Sequence, residues 1–490
     1  MTPQHHHHDD ITSRYLTGDT RTRMDLIRDP GAANALRGLL GTRVYAELAE
    51  LAGPQPQEHL GDTHDTNLVF VPGVMGSLLA STGLGGIWWL DVKSRHRIDS
   101  LALSADGLSD SHPSFKISPV TVDSLYEGFL FSAERRQDTN PLAFPYDWRK
   151  PLSSSADHFH QTVLDRRAAA HPRRPIDVVA HSMGGLVVRT ALMRHPELWR
   201  HLGKIVFLGT PHYGSPAIGG YLKNHLWGFE LLTLLGRYLS RETFRTLHGV
   251  LGLLPAPAGI YPASSGERSA DAPYDHPCGN FDFYDARAWC LNLAHAQELR
   301  LQSVLDAAAR QHHDLHNWHQ SLDQALRDRM AVIAGTGFKT LFRLAYNKRL
   351  GILWQHMDRI TARIPHDADR DGDGRVPLAS ARLPWTGETR YVHGEHGSLP
   401  NLPDVQQDIW RFLNDRPMRL PTSSQAAMGE HLAAAAESIS ALSLPEPPAQ
   451  RAADDPGYLN ITGPTAAGLA ELEKQLDTGN LQDFIRTRLL

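Results

Sequence analysis

Short apolar runs rich in β-branched residues recur along the chain, and glycine or proline closes nearly every one of them. Runs of this kind are typical of strands buried on both faces of a parallel sheet and joined by crossover helices. They lie at 67–73, 176–182, 204–211, 330–337 and, less clearly, 389–396. We therefore expect an α/β fold with a doubly wound, mostly parallel sheet.

The interval 212–329, between the third and fourth runs, is far longer than a crossover between neighbouring strands requires. Leucines and aromatic residues at helical spacing occur in 221–255, and a second, longer helical pattern covers 286–328. We expect these helices to form a cap over the carboxyl ends of the strands.

The pattern divides the chain into five parts. The predicted parts are an N-terminal helical extension (1–66), a first part of the α/β core (67–211), an inserted cap or lid (212–329), a second part of the core (330–415) and a C-terminal helical extension with a Pro-rich linker (416–490). The histidine run 5–8, whether a tag or native, is left out of this interpretation.

Composition narrows the possible partners and the expected location. With Lys+Arg 49 against Asp+Glu 54, and without a long basic block, nucleic acid is not an expected partner. The amino terminus lacks an apolar signal segment, and no apolar run reaches the length of about 18 residues that a membrane span requires, so a cytoplasmic protein is expected. Cys278 and Cys290 lie twelve residues apart, a spacing that permits a disulfide but does not resemble a disulfide framework or a four-ligand zinc site, and we expect two reduced thiols.

One serine stands between a predicted strand and a helical pattern, in the segment A-H-S-M-G at 180–184. This is the pattern of a nucleophile elbow with alanine in place of its first glycine. Small residues are needed there because the end of the strand and the start of the helix come very close together. Ser182 is therefore the candidate nucleophile, and the backbone N–H of Met183 is a candidate oxyanion donor.

A serine at neutral pH needs a base and an orienting acid, and in this architecture both follow it in the chain. Asp373 is the candidate acid, because the D-G-x-V-P spacing places a carboxylate in a turn just before an extended segment; Asp371 is its rival. His396 is the candidate base because it lies in a glycine-flanked loop, whereas its rival His393 lies at the end of a strand.

The second oxyanion donor should come from the loop after the first central strand. That loop is V-P-G-V-M-G-S at 71–77, where Val74 or Met75 can offer its backbone N–H; we select Val74. His181 and His212 precede the candidate acid in the chain and so do not fit the expected order of a base.

Four groups of segments together resemble the lecithin:cholesterol acyltransferase-like family of α/β-hydrolases. They are N-L-V-F-V-P-G-V-M-G-S-L-L, F-P-Y-D-W-R-K-P, V-V-A-H-S-M-G-G-L-V-V-R with F-L-G-T-P-H-Y-G-S-P, and D-G-D-G-R-V-P with G-E-H-G-S-L-P. The resemblance covers roughly 67–415. It implies an α/β-hydrolase fold and a hydrolase or acyltransferase that acts on lipid-like acyl esters through a Ser/Asp/His triad, with no metal and no cofactor.

The D-W-R tripeptide is the most distinctive part of this resemblance. Asp147 and Arg149 are opposite charges two residues apart, and we expect them to form a buried pair that braces the loops behind the elbow rather than to take part in catalysis.

Two other kinds of site are open from the residues alone. The segment D-A-D-R-D-G-D-G at 367–374 looks like the start of a calcium loop, but position twelve would be Leu378, where a glutamate is needed. His312, His316 and His319 share one helix face at ligand spacing, yet their polar neighbours favour a solvated face over a metal site.

Alternative functions are also open. The chain could be a catalytically inactive hydrolase scaffold, or a protein that binds lipids or a partner without chemistry. Transient contact of the cap with a membrane surface is compatible with its apolar helices. The sequence does not identify a protein partner for the C-terminal extension.

Overall fold

The computed structural model of the protein describes eight segments of the chain. They are residues 3–54, 67–89, 92–169, 175–223, 239–262, 282–289, 291–342 and 369–441. The expectations for Cys278, Cys290 and the Pro-rich linker and terminal helix of the C-terminal extension lie outside the described residues.

Eleven strands occur in the described residues. In chain order they are β1 (Leu68–Val71), β2 (Ser77–Ser81), β3 (Ile87–Trp89), β4 (Ile117–Val122), β5 (Pro141–Ala143), β6 (Ile176–His181), β7 (Leu202–Leu208), β8 (Met330–Thr336), β9 (Phe338–Leu341), β10 (Asp369–Gly372) and β11 (Glu388–His393). Six of them form the central sheet in the order β11–β8–β7–β6–β1–β5, and every pair in it is parallel. The doubly wound α/β prediction is confirmed, and all five predicted strands are in this sheet.

The remaining strands were not predicted. β3, β2 and β4 form a small antiparallel sheet, and β9 pairs with β10 in an antiparallel hairpin. Polar residues such as Ser77 and Ser81 bound β2, and Pro119 interrupts β4. These strands are three to six residues long and, apart from short apolar stretches in β2 and β3, carry neither a continuous apolar run nor a regular alternation.

The order in which strands are added to the sheet reverses between β1 and β6. After β1, the chain adds β5 on one side of β1, and it then adds β6, β7, β8 and β11 in turn on the other side. Phe70 pairs with Val179 and Val71 with Ala180, so β1 and β6 end side by side. The loops that leave their carboxyl ends therefore meet at a topological switch point, where ligand sites form in open α/β sheets.

Fifteen α-helices are described. They are α1 (Pro3–Thr17), α2 (Thr20–Arg28), α3 (Ala33–Leu40), α4 (Thr42–Ala52), α5 (Glu127–Glu134), α6 (Leu152–Ala169), α7 (Met183–Arg194), α8 (Ala217–Lys223), α9 (Arg241–Phe244), α10 (His248–Leu251), α11 (His295–Ser321), α12 (Gln324–Arg327), α13 (Leu378–Ala381), α14 (Pro403–Leu413) and α15 (Ser424–Ala441). None of these described helices combines the length and the apolar character needed to cross a lipid bilayer.

The central sheet is covered on both faces. Every residue of β8 and of β1 is buried, and successive side chains of a strand point to opposite faces. α6 and α7 pack on each other, α7 also contacts β1 and β6, and α14 contacts β7. One continuous apolar core therefore joins the sheet to its helices, and it fixes the position of the turn between β6 and α7.

Helices α1 to α4 form a second apolar cluster that is joined to the body by a buried ion pair. The guanidinium of Arg23 donates to Glu127 at 2.9 Å and to the hydroxyl of Thr121 at 2.6 Å. Tyr15 also donates to the carboxylate of Glu127. Tyr15, Arg23 and Glu127 are all buried, so their contacts anchor the N-terminal helices at the start of α5.

The long helix α11 presents histidines to the protein interior. His312 and His319 are each only 2% exposed, and they donate to the backbone carbonyls of Leu254 and Pro384 at 2.8 and 2.7 Å. The expectation of a solvated histidine face was therefore wrong. Burial, with the nearby guanidinium of Arg189, lowers the pKa of both imidazoles to about 4.

We expect the free energy of unfolding to fall as the pH drops from about 6.5 towards 4, because the unfolded chain takes up protons at an ordinary histidine pKa and the folded chain does not. His312→Gln keeps a donor for the Leu254 carbonyl and removes one titrating group. Its melting temperature should fall less steeply than that of the wild type over this range. His313→Gln, at the exposed neighbouring position, is the control. Equal slopes for His312→Gln and the wild type would contradict the prediction.

Candidate active site

Ser182 occupies a strained turn between β6 and α7. Its φ of 52° and ψ of −127° lie where side-chain-bearing residues are rare, and its N–H donates to the carbonyl of Leu208 at 2.9 Å. The strand ends at His181 and the helix begins at Met183, so one residue makes the whole reversal. The hydroxyl is thereby held at the carboxyl edge of the sheet.

The glycines around this turn are required by close backbone approach. A Cβ at Gly184 would lie 2.5 Å from the carbonyl oxygens of Val71 and Pro72, and a Cβ at Gly73 would lie 2.9 Å from the Cβ of Ser182. The loop after β1 is therefore in direct contact with both the serine and the first turn of α7. This crowding explains why the nucleophile-elbow pattern requires small residues around the serine.

Three side chains predicted from distant parts of the sequence are hydrogen-bonded in series. The hydroxyl of Ser182 lies 2.8 Å from Nε2 of His396, and Nδ1 of His396 lies 2.7 Å from Oδ2 of Asp373. All three residues are buried, with exposures of 3%, 4% and 1%. In this arrangement the imidazole donates through Nδ1–H to the carboxylate and offers Nε2 as the acceptor for the serine proton.

Backbone contacts fix the orientation of the acid and the base. Oδ1 of Asp373 accepts from the N–H groups of Arg375 and Val376 at 3.0 and 2.7 Å, which leaves Oδ2 for the imidazole. The N–H of His396 donates to the carbonyl of Asp373 at 2.9 Å. After Pro377 the chain continues into the helix α13, so the expected extended segment behind this turn was wrong.

The rival acid and base lie in other contacts. The carboxylate of Asp371 accepts from the hydroxyl of Thr336 at 2.5 Å and from the N–H of Gly337 at 2.7 Å. The ring of His393 stacks on that of His431, with centroids 3.6 Å apart. The carboxylates of Asp371 and Asp373 therefore both accept hydrogen bonds from other protein groups. These contacts do not favour a calcium site at this segment.

The two candidate oxyanion donors flank the serine. Met183 is the first residue of α7, and Val74 follows Gly73 in the loop that contacts Ser182. Within the part of the chain that the structure describes, neither backbone N–H donates a hydrogen bond. Unpaired amides at the start of a helix are suited to a developing negative charge.

Asp147 and Arg149 form a buried ion pair. The guanidinium of Arg149 donates to both carboxylate oxygens of Asp147 at 2.9 and 2.7 Å and to the carbonyl of Leu101, and it forms an ion pair with Asp110 at 3.0 Å. Burial alone would lower the pKa of Arg149, but the two carboxylates outweigh it and the pKa is raised. Because Gly249 of α10 donates its N–H to the carbonyl of Arg149, this ion pair also positions α10, which lies in the predicted cap.

Among the described residues, one cluster brings together three side chains of the kind that bind metals. These are His160, His195 and Glu197. The two imidazole rings are stacked 3.9 Å apart with an interplanar angle of 3°, so their in-plane lone pairs run side by side and do not converge on one point. Asp157 and Glu197 take these rings as hydrogen-bond or ion-pair partners. The cluster therefore does not have the geometry of a metal site.

Two residues next to the triad were not selected from the sequence. His181 was set aside because it does not fit the chain order of a base, and Tyr126 was not considered. Both are fully buried and hydrogen-bonded to each other beside Ser182. The order of residues along the chain helps to select a nucleophile, an acid and a base. It gives no sequence signal for a residue such as Tyr126 or His181 that only holds its neighbours in position.

A family model described as lecithin:cholesterol acyltransferase matches residues 130–255, which include the elbow and the D-W-R segment. Over these residues the chain is similar to lecithin:cholesterol acyltransferases, and its central parallel sheet has the arrangement of an α/β-hydrolase fold. The chain is 30% identical over 83 residues to phosphatidylcholine-sterol acyltransferase of Papio anubis. The matched segment covers 16% of this chain and 19% of that protein. It is also 30% identical over 117 residues to an uncharacterized protein of Saccharomyces cerevisiae, covering 22% of this chain and 17% of that protein. The match thus spans less than a fifth of these curated relatives.

Solved structures with likeness to this α/β-hydrolase include a chain of the Tle4–Tli4 complex. It has a TM-score of 0.43 and 14% identity, over 71% of this chain and 97% of that one. The mature form of the Bacillus licheniformis lipase BlEst2 has a TM-score of 0.27 and 15% identity, over 71% and 91% of the two chains.

We expect Gly184→Ala to lower the free energy of unfolding by about 3 kcal/mol, because the added methyl group cannot fit beside two fixed carbonyl oxygens. Urea denaturation measures this change. Gly38→Ala is the matched control: Gly38 lies in α3 with nothing within 4 Å of an added Cβ, so that variant should be as stable as the wild type or slightly more stable. A Gly184→Ala protein with wild-type stability would refute the crowding argument.

Proposed function

We propose that this α/β-hydrolase cleaves carboxylic acyl esters of lipid-like substrates through an acyl-enzyme on Ser182, and passes the acyl group to water or to an acceptor alcohol. The observation that carries the proposal is the hydrogen-bonded series from Ser182 through His396 to Asp373, with contacts of 2.8 and 2.7 Å. The family match to acyltransferases supports the same chemistry.

Acylation follows from the directions of these hydrogen bonds. Nε2 of His396 takes the proton of Ser182 as its Oγ attacks the ester carbonyl carbon. The carbonyl oxygen becomes an oxyanion, and the N–H groups of Met183 and Val74 donate to it. Asp373 accepts from Nδ1–H throughout, so the imidazole keeps its orientation and its positive charge is compensated.

Release of the alcohol, which completes acylation, and the later deacylation use the same groups. The imidazolium of His396 gives its proton to the leaving alkoxide, the ester C–O bond breaks, and the acyl group stays on Ser182. Water or an alcohol then loses a proton to Nε2 as it attacks the acyl carbon, and the proton returns to the serine as the product acid or ester leaves. The cycle needs no metal and no redox cofactor.

The lipid-like substrate class is inferred from the family match and not from a groove for the acyl chain. Leu247, Val250 and Leu251 of the cap are buried in the same apolar core as the central sheet. These side chains stabilise the cap on the body. Transient contact of the cap with a membrane surface is a secondary part of the proposal.

Ser182→Ala should lose on the order of 10⁶ in turnover, since the members of a triad act as a unit. Hydrolysis of a chromogenic acyl ester and covalent labelling by a fluorophosphonate measure the loss. Ser321→Ala, which removes a hydroxyl from the exposed end of α11, is the control with expected wild-type activity. Normal ester hydrolysis by Ser182→Ala would exclude this serine as the nucleophile.

A panel of acyl esters of increasing chain length, with and without phospholipid vesicles, tests the substrate class. We expect kcat/KM to rise with acyl length, because longer chains bury more apolar surface. Release of fatty acid, or of a new ester when an alcohol is supplied, distinguishes hydrolysis from transfer. Turnover confined to acetyl esters would contradict a lipid-like substrate and leave the triad intact.

A further inference from the structure

Tyr126 and His181 connect the loops on either side of the candidate nucleophile. The hydroxyl of Tyr126 accepts from the N–H of Gly73 at 2.9 Å and lies 3.0 Å from Nδ1 of His181. Nε2 of His181 lies 2.9 Å from the backbone carbonyl of His396. Neither Tyr126 nor His181 exposes any surface.

The acceptors in this chain of contacts determine where the protons are. A carbonyl can only accept, so Nε2 of His181 carries a hydrogen and donates to His396. Burial, followed by the charge of His396, lowers the pKa of His181 well below its usual value, so the ring is neutral and Nδ1 is an acceptor. The single hydroxyl proton of Tyr126 must then point to Nδ1, and its lone pairs face the N–H of Gly73.

We propose that this Tyr126–His181 bridge is the positioning element of the active site. It holds the loop at 71–77 (the oxyanion loop) and the loop that carries His396 (the base loop) at a fixed distance from Ser182. The inference rests on the proposed function. One end of the bridge fixes Gly73, whose neighbour Val74 is the candidate oxyanion donor. The other end fixes the backbone of His396.

Packing leaves the bridge no freedom. Added Cβ atoms at Gly73 and Gly76 would lie 3.2 and 2.9 Å from the hydroxyl of Tyr126, so the oxyanion loop wraps closely around it. The base is held through both of its backbone groups, since its N–H donates to Asp373 and its carbonyl accepts from His181. A shift of about 1 Å in either loop would misalign the reacting groups.

The neutral ring of His181 also suits the charge that forms during catalysis. The imidazoles of His181 and His396 have centroids 4.7 Å apart. When His396 takes the serine proton it becomes a cation, and a second cation at this distance in a buried site would oppose it. A neutral histidine fixes the base without this penalty.

Tyr126→Phe tests the bridge by removing one oxygen atom and keeping the ring. We expect kcat to fall by about 10- to 100-fold with KM changed less than threefold, because substrate binding does not use the bridge. Tyr45→Phe is the matched control: its buried hydroxyl also donates one hydrogen bond, in this case to the carbonyl of Ile27 within the N-terminal helices. It should show a similar loss of melting temperature with unchanged kcat.

His181→Gln and His181→Asn separate the two arms. Glutamine can place a donor near the position of Nε2 and keep the bond to His396, whereas asparagine can accept from Tyr126 but cannot reach the base loop. We expect both variants to label with fluorophosphonate more slowly than the wild type, and the glutamine variant to keep more activity.

The pH profile supplies a readout that a purely structural role would not change. Without the Tyr126 hydroxyl, Nδ1 of His181 is open to protonation, so the acid limb of kcat/KM in Tyr126→Phe should move to higher pH. The titratable groups that act on His181 are His396 and Tyr126. In the double variant Tyr126→Phe with His181→Gln the shift should disappear.

The outcomes separate the bridge from the proposed function. If the wild type does not label at Ser182, the serine chemistry itself fails. If the wild type labels, and Tyr126→Phe labels at the same rate with an unchanged pH profile, the bridge is refuted and the proposed function stands.

Discussion

The left-handed backbone of Ser182 is the constraint on which the rest of the candidate site depends. Holding a residue with a side chain there costs about 1–3 kcal/mol, and it persists because its surroundings leave no alternative. Its N–H is bonded to Leu208, and Gly73 and Gly184 bring the loop after β1 into contact with the turn. Since α7 begins at the next residue, the hydroxyl and the first helix amides lie at one edge of the sheet, where the loops after β1, β10 and β11 must meet.

The regular part of this architecture is predictable because burial on both faces produces continuous apolar runs. All five predicted strands occur, and the family resemblance is confirmed by the match over 130–255. What escapes prediction is irregular: β5 has three residues, and Pro119 breaks the pattern of β4. The histidines of α11 mislead for a different reason, since polar residues at an interface with two carbonyl acceptors look the same in sequence as residues in water.

The candidate site divides in the same way. Ser182, Asp373 and His396 can be selected because the elbow pattern and the order of acid and base restrict the choice, and the structure brings them within hydrogen-bonding distance; their catalytic roles stay predictions. Tyr126 and His181 are 55 residues apart in the chain, and His181 lies 215 residues from His396. Contacts across such separations follow from the strand order, which local patterns do not specify.

The ion pair between Arg23 and Glu127 makes the N-terminal helices inseparable from the hydrolase body. Glu127 directly follows Tyr126 in the chain, and its buried carboxylate is compensated by residues that precede β1. A truncated chain that started at the first strand would lose the guanidinium of Arg23 and the hydroxyl of Tyr15 that bind this carboxylate, and it would uncover Phe131, which packs against these helices. These lost contacts lie one residue from Tyr126, so a fragment chosen to isolate the sheet would disturb the surroundings of Ser182 that it was meant to retain.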